Sequence, residues 1–274
     1  MARVIPLLDV FSGIGGFSLG LERTGGFRTI GFCEIEPFCR RVLAKHWPDV
    51  PIFPDIRELD ARTWRASGLE QPRAICGGFP CQDISAAGAG AGIDGPRSGL
   101  WREMARLVGV FRPGVVFVEN VPALRSRGLG RVLGDLATLG YDAEWHCIPA
   151  AALGAPHGRD RIWVLAYPDG TRKHESAGRE RESRLGTWCS GESVAYPGGA
   201  RLSPPERETV CSPGRWQERR AASERGGWPS ESGLVRMAHG VPGRVDRIAA
   251  LGNAIVPQAA EAIGRMYLDS FTLA

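Results

Sequence analysis

Apolar positions in the first 166 residues follow two alternating rhythms. Val4–Phe11 and Thr29–Cys33 are short runs rich in branched residues and predict strands. Between them, Phe17–Arg23 reads as the start of a helix. Pro37–Trp47 sets Phe38, Val42 and the Cys39/Leu43 pair at helical spacing with arginines opposite. A third short strand is expected just before Asp55. Further strands are predicted at Arg73–Cys76, Val115–Val118, Glu144–Ile148 and Arg161–Ala166, with helices at Leu100–Val110 and Leu129–Leu139. Strands alternating with helices of this length indicate βαβ units and a mostly parallel sheet, an α/β fold.

The rhythm stops at residue 167. Residues 167–246 hold no Ile or Phe and are rich in Gly and Pro. Such a stretch cannot build a conventional core of its own and reads as a small irregular module leaning on the main domain. Periodicity returns at Arg247, and Ala254–Leu268 predicts a helix with Asn253 as its N-cap. The expected organisation is one domain formed by residues 1–166 and 247–274, interrupted by an insert at 167–246.

The chain has 274 residues, 43% of them hydrophobic, enough for a substantial core. No apolar run approaches the roughly 18–20 residues that a membrane span needs. The N-terminal residues lack the pattern of a secretory signal. The 7 cysteines are an odd number without a CxxC pair, so neither a zinc ribbon nor a disulfide framework is expected. A reducing cytoplasm is the expected compartment. A net charge of +4 does not by itself announce a nucleic-acid partner. Lys45 and Lys173 are the only lysines among 34 basic residues, so 32 are arginine. Arginine forks suit phosphate and guanine edges, although arginine-favouring codons give the same bias.

Three constellations carry chemistry. Asp9-Val-Phe-Ser-Gly13-Ile-Gly15-Gly16-Phe17 is a strand ending in a glycine turn that opens a helix. Glu34 follows at the end of the second strand, where a carboxylate can accept two ribose hydroxyls, and Asp55-Ile56 can address an adenine. The pattern fits an adenosine-containing ligand, or a tight turn beside an unrelated surface acid. Gly77-Gly-Phe-Pro80-Cys81-Gln-Asp-Ile-Ser85 puts a cysteine on a turn just past a strand. A nucleophile there needs positive charge nearby to form thiolate, and Arg159 and Arg161 are candidates; Cys76, within the strand, reads as core. Residues 86–99 are too rich in Gly and Ala for core and read as a mobile lid. Glu119 ends the apolar strand Val115–Val118 beside the expected crevice, where burial raises a carboxylate toward a proton donor's range. A salt-bridge or helix-capping acid is the plainer alternative.

Together these residues resemble one family, the C5-cytosine DNA methyltransferases. The order along the chain is DVFSGIGGF, Glu34, Asp55-Ile56, GGFPCQDIS, Arg97-Ser98-Gly99-Leu100, Glu119-Asn120-Val121, Arg159-Asp160-Arg161 and Gly252-Asn253-Ala254-Ile255-Val256-Pro257. The resemblance covers all but the insert, which lies where that family keeps its variable target-recognition domain. Two positions depart from the pattern. His157 stands where the family commonly has glutamine, and Ile35 where it often has a large aromatic.

The resemblance implies a Rossmann-like fold using S-adenosyl-L-methionine and releasing S-adenosyl-L-homocysteine, without a metal. It implies transfer of a methyl group to carbon 5 of a cytosine flipped out of double-stranded DNA, with Cys81, Glu119, Arg159 and Arg161 as catalytic residues. Phe11, Gly13, Gly15, Glu34, Ile35, Asp55, Ile56, Pro80, Leu100, Asn253 and Ile255 would surround the cofactor. A monomer is expected, with no membrane and with a cognate restriction endonuclease as a candidate partner. The same motif set occurs in a branch that methylates transfer RNA. A non-catalytic DNA-binding regulator on this fold and a thiol redox protein are the other readings.

Overall fold

Seven strands form one sheet in the order β3-β2-β1-β4-β5-β7-β6 in the computed structural model, which describes residues 4–80, 98–155, 157–170 and 250–271. The central strands are β1 (Ile5–Val10), β2 (Phe27–Cys33), β3 (Ile52–Phe53), β4 (Ala74–Gly77) and β5 (Val115–Asn120). They pair in parallel, as their near-continuous apolar runs require when helices cover both faces. The last two strands, β6 (Tyr141–Pro149) and β7 (Asp160–Pro168), are antiparallel to each other, and β7 is antiparallel to β5. Both outrun the expected Glu144–Ile148 and Arg161–Ala166, because β6 is an edge strand whose exposed Asp142 and Trp145 break its apolar pattern. β7 also takes in Tyr167 and Pro168; the Tyr167 hydroxyl donates to Glu144 Oε1 at 2.9 Å.

Side-chain alternation divides the core into two layers. Leu8, Val10, Ile75, Val116 and Val118 face one helical layer, and Leu7, Cys76, Val115 and Phe117 face the other. The first layer contains α3 (Ala61–Ala66), α4 (Trp101–Phe111), α5 (Leu124–Arg127) and α6 (Leu129–Thr138). Helix α4 buries Trp101, Met104, Leu107, Val108 and Phe111, one apolar stripe at helical spacing. The opposite layer holds α1 (Gly16–Arg23) and the C-terminal α7 (Pro257–Phe271). Helix α2 (Pro37–His46) starts with Pro37 at its first turn, where the missing N–H costs nothing. Helix α3 was not expected. Its signal is Asp60-Ala-Arg-Thr63, a capping box in which each side chain bonds the other's backbone N–H.

The expected helix start at Asn253 is corrected. The described residues 250–253 are helical, residues 254–256 are not, and α7 begins at Pro257. A proline is accepted in the first turn of a helix, not within it, and it drives the preceding residue out of the helical region. Residues 254–256 therefore form a short non-helical strap leading into α7. Among the described residues, no helix is long and apolar enough to cross a membrane and no cluster of metal-ligating residues occurs. Most of the insert expected at 167–246, the whole 86–97 stretch of the expected lid, and Cys81, Arg97, Cys189 and Cys211 lie outside the described residues.

Candidate functional site

The carboxyl ends of the parallel strands place the sequence motifs side by side along one edge, where ligands bind in open α/β sheets. A cavity of about 600 Å³ opens there, within the range of small-molecule sites. From β1, β2 and β3 come Phe11, Gly13, Glu34, Ile35, Asp55 and Ile56. Pro80, Glu119, Arg161, Leu100 and Asn253 line the same cavity.

The glycine turn is built for close approach. Phe11 has φ 54, a left-handed conformation that a bulky residue adopts only when its surroundings impose it. Ser12 supplies the constraint: its hydroxyl donates to the Asp9 carbonyl at 2.7 Å, and its amide donates to the Cys33 carbonyl at 3.3 Å. Beneath the turn, buried Asp9 accepts from the Ser18 hydroxyl at 2.7 Å and from the Ser18 amide, tying β1 to α1. Burial pushes the Asp9 carboxyl up to about 7, against the hydrogen bonds that lower it. Gly15, at φ 84, does not line the cavity; it packs against Trp47 and Leu43.

Glu34 is buried at 9% exposure, with each carboxylate oxygen held by a backbone amide. Gly13 N–H donates to Oε2 and Glu36 N–H to Oε1, both at 2.7 Å. Each oxygen keeps a further lone pair for a diol. Beside it Ile35 presents an apolar side chain that is 64% exposed on the cavity wall. Asp55 accepts a forked contact from Arg57 Nε and Nη2 at 2.9 and 2.5 Å, and that pairing lowers its carboxyl below the usual range. Arg57 also lines the cavity and was not singled out in the sequence; its position two residues after Asp55 was the available signal. An anchored carboxylate, an apolar wall and a second acid fit a nucleoside.

At the β4–β5 end, Glu119 is 8% exposed and pairs with Arg161 Nε at 2.9 Å. Burial pushes its carboxyl up to about 6, while Arg161 and Arg159 pull it down. Neighbouring Asn120 anchors the turn that carries Pro80: its Nδ2 donates to the Phe79 carbonyl at 3.1 Å, and its Oδ1 accepts from Val121 N–H at 2.8 Å. A Cβ at Gly78 would lie 2.9 Å from Glu119 Oε2, so this turn crosses directly over the acid. Cys81, the next residue after Pro80, lies outside the described residues.

Two further expected site residues stand apart from the cavity. Arg159 Nη1 and Nη2 donate to the carbonyls of Gly252 and Ala254 at 2.8 and 2.5 Å. Ile255 packs between α1 and the Gly78 turn, with its carbonyl against Gly16.

Comparison with known proteins bears on the family and the fold. The model of the family described as C-5 cytosine-specific DNA methylase matches residues 5–187. Type II methyltransferase M2.BsuMI of Bacillus subtilis strain 168 is 36% identical over 170 residues, covering 59% of this chain and 42% of that protein. M1.ScrFI of Lactococcus lactis subsp. cremoris is 31% identical over 165 residues, covering 59% and 41%. The chain thus spans less than half the length of these curated relatives. The crystal structure of the S. pombe Dnmt2 methyltransferase matches with a TM-score of 0.59 at 17% identity, over 97% of this chain and 98% of that one, a likeness of fold.

Proposed function

The chain belongs to the C-5 cytosine-specific DNA methylase family, and from that premise we propose that it methylates carbon 5 of cytosine in double-stranded DNA, using S-adenosyl-L-methionine. The observation that carries this reading is one cavity holding both a nucleoside end, at Glu34, Ile35 and Asp55, and an acid–arginine end, at Glu119 and Arg161.

When bound, S-adenosylmethionine supplies an electrophilic methyl group. Glu34 would accept the ribose hydroxyls, Phe11, Ile35, Ile56 and Leu100 would enclose the base, and Asp55 would address its amino edge. Carbon 5 of cytosine is a poor nucleophile until carbon 6 is attacked, so the Cys81 thiolate adds to carbon 6 and pushes electron density onto carbon 5. Glu119, whose carboxyl burial raises to about 6, gives a proton to N3 as charge develops there. Arg161 keeps Glu119 oriented and favours anionic charge beside it. Once carbon 5 is alkylated, its proton is lost and the cysteine is expelled, restoring the aromatic ring. Flipping the base costs a few kcal/mol, offset by contacts to the phosphate backbone.

Residues 167–246 act as the target-recognition module in this reading. The protein works as a monomer in the cytoplasm, with a cognate restriction endonuclease as its counterpart. Bisulfite sequencing of DNA and transfer RNA from cells expressing the chain tests the proposal. Converted cytosines at one DNA motif are expected; marks confined to RNA, or no marks, would overturn it.

A further inference from the structure

Arg159 and Arg161 are two residues apart, yet their side chains make direct contacts in different parts of the molecule. Strand β7 starts between them at Asp160, so Arg159 lies outside the strand that orients Arg161 toward Glu119. The Arg159 fork spans two carbonyls, those of Gly252 and Ala254, and thereby brackets Asn253. Asn253 lines the cavity and Arg159 does not. The rest of the strap is held just as closely. The carbonyls of Ile255 and Pro257 lie so near Gly16 and Gly20 of α1 that neither glycine has room for a Cβ, and Ile255 Cδ1 reaches the Gly78 turn. Among the described residues, the strap is held by the Arg159 fork and by close packing on Gly16, Gly20 and the Gly78 turn.

We propose that Arg159 is a positioning residue of the cofactor end: its fork fixes the 252–254 carbonyls and so presents Asn253 to the cavity, while Arg161 makes the direct ion pair with Glu119. The inference rests on the cofactor reading above, and it gives the two arginines different direct contacts. A point charge at residue 159 does not replace a fork, because an ammonium cannot span two carbonyls with fixed geometry.

The test compares wild type with Arg159→Lys and Arg159→Ala in the full chain. It uses calorimetric titration with S-adenosylhomocysteine, hydrogen exchange of amides 252–256, and single-turnover methylation at saturating cofactor. Both variants should lose about 10-fold or more in cofactor affinity and exchange the strap amides correspondingly faster, with a larger effect on affinity than on the saturated single-turnover rate. Arg159→Lys keeps the charge and the aliphatic stem, which guards against simple misfolding of the alanine variant. Full recovery of affinity and strap protection by lysine would show that charge suffices and would overturn the proposal. So would unchanged affinity with a collapsed single-turnover rate, which would place Arg159 at the base. If wild type itself binds no S-adenosylhomocysteine, the functional reading fails, and the exchange comparison still decides whether Arg159 grips the strap.

Discussion

Gly13 and Gly15 both have positive φ, but the surrounding atoms predict different consequences for alanine at the two positions. At Gly15, φ is 84, and a Cβ would lie 2.6 Å from Trp47 Cζ3, 2.7 Å from Cη2 and 3.0 Å from Leu43 Cδ2. Trp47 has little freedom to yield: its Nε1 donates to Glu22 Oε2 at 3.0 Å, and its ring meets Phe32 edge-on at 5.2 Å. The left-handed backbone costs roughly 1–2 kcal/mol for a residue with a Cβ. Overpacking adds roughly 1–3 kcal/mol. Gly15→Ala should therefore destabilise the fold by about 2–5 kcal/mol. At Gly13, φ is 55 and nothing lies within 4 Å of a Cβ, so only the backbone cost of roughly 1–2 kcal/mol applies. Gly13 borders the cavity and its amide donates to Glu34, so its variant should also lose cofactor affinity. Urea denaturation and calorimetric titration with S-adenosylhomocysteine separate the two effects. Gly15→Ala within 1 kcal/mol of wild type, or no more costly than Gly13→Ala, would refute the reasoning.

Glu119→Gln keeps a hydrogen-bonding edge but cannot protonate N3, so the single-turnover rate should fall roughly 10²–10⁴-fold, and a loss under about threefold would assign the proton to another group. The same variant has a pH signature. Burial raises Glu119 from 4.5 to about 6, so its favourable contribution to stability is full below pH 4.5 and is lost as pH rises through about 6. That contribution is about 2 kcal/mol, and Glu119→Gln should flatten that part of the stability curve relative to wild type, as read by denaturation across pH 4–8. Tyr141→Phe removes a buried hydroxyl that donates to the Pro113 carbonyl at 2.7 Å, and denaturation should show a loss of about 1 kcal/mol with cofactor binding intact. Replacing residues 167–246 by the corresponding segment of a relative should transfer that relative's methylation site, which mapping of 5-methylcytosine in the host genome would reveal; an active chimera still marking the original site would place specificity elsewhere.

The strands and the acids at their ends were legible because burial on both faces writes a continuous apolar run, and a polar residue closing such a run has nowhere to go but the edge. Val115–Val118 followed by Glu119 is the clearest instance, and Thr29–Cys33 followed by Glu34 is another. Helix α3 was missed because Trp64 is its only buried residue, leaving no periodicity to read; its capping box was the available sign. The start of α7 was misplaced because Ala254, Ile255 and Val256 continue the apolar rhythm, and backbone chemistry at Pro257 overrides it. Separating Arg159 from Arg161 was beyond the sequence, since the division depends on where β7 begins and on carbonyls almost a hundred residues away. Arg57 shows a similar limit: its link to Asp55 is local, but its place on the cavity wall follows from the position of β3 at the sheet edge.

The central claim is that Cys81 attacks carbon 6 of the target cytosine during methyl transfer, and one measurement addresses it directly. Purified protein is incubated with S-adenosylmethionine and a randomised pool of duplexes carrying 5-fluorocytosine, and covalent complexes are isolated and mapped by mass spectrometry. Fluorine cannot leave carbon 5 as a proton does, so the account predicts a stable protein–DNA adduct joined through Cys81 and carrying the transferred methyl group. Methylation of ordinary cytosine without any such adduct, or an adduct mapping to a different residue, would contradict it.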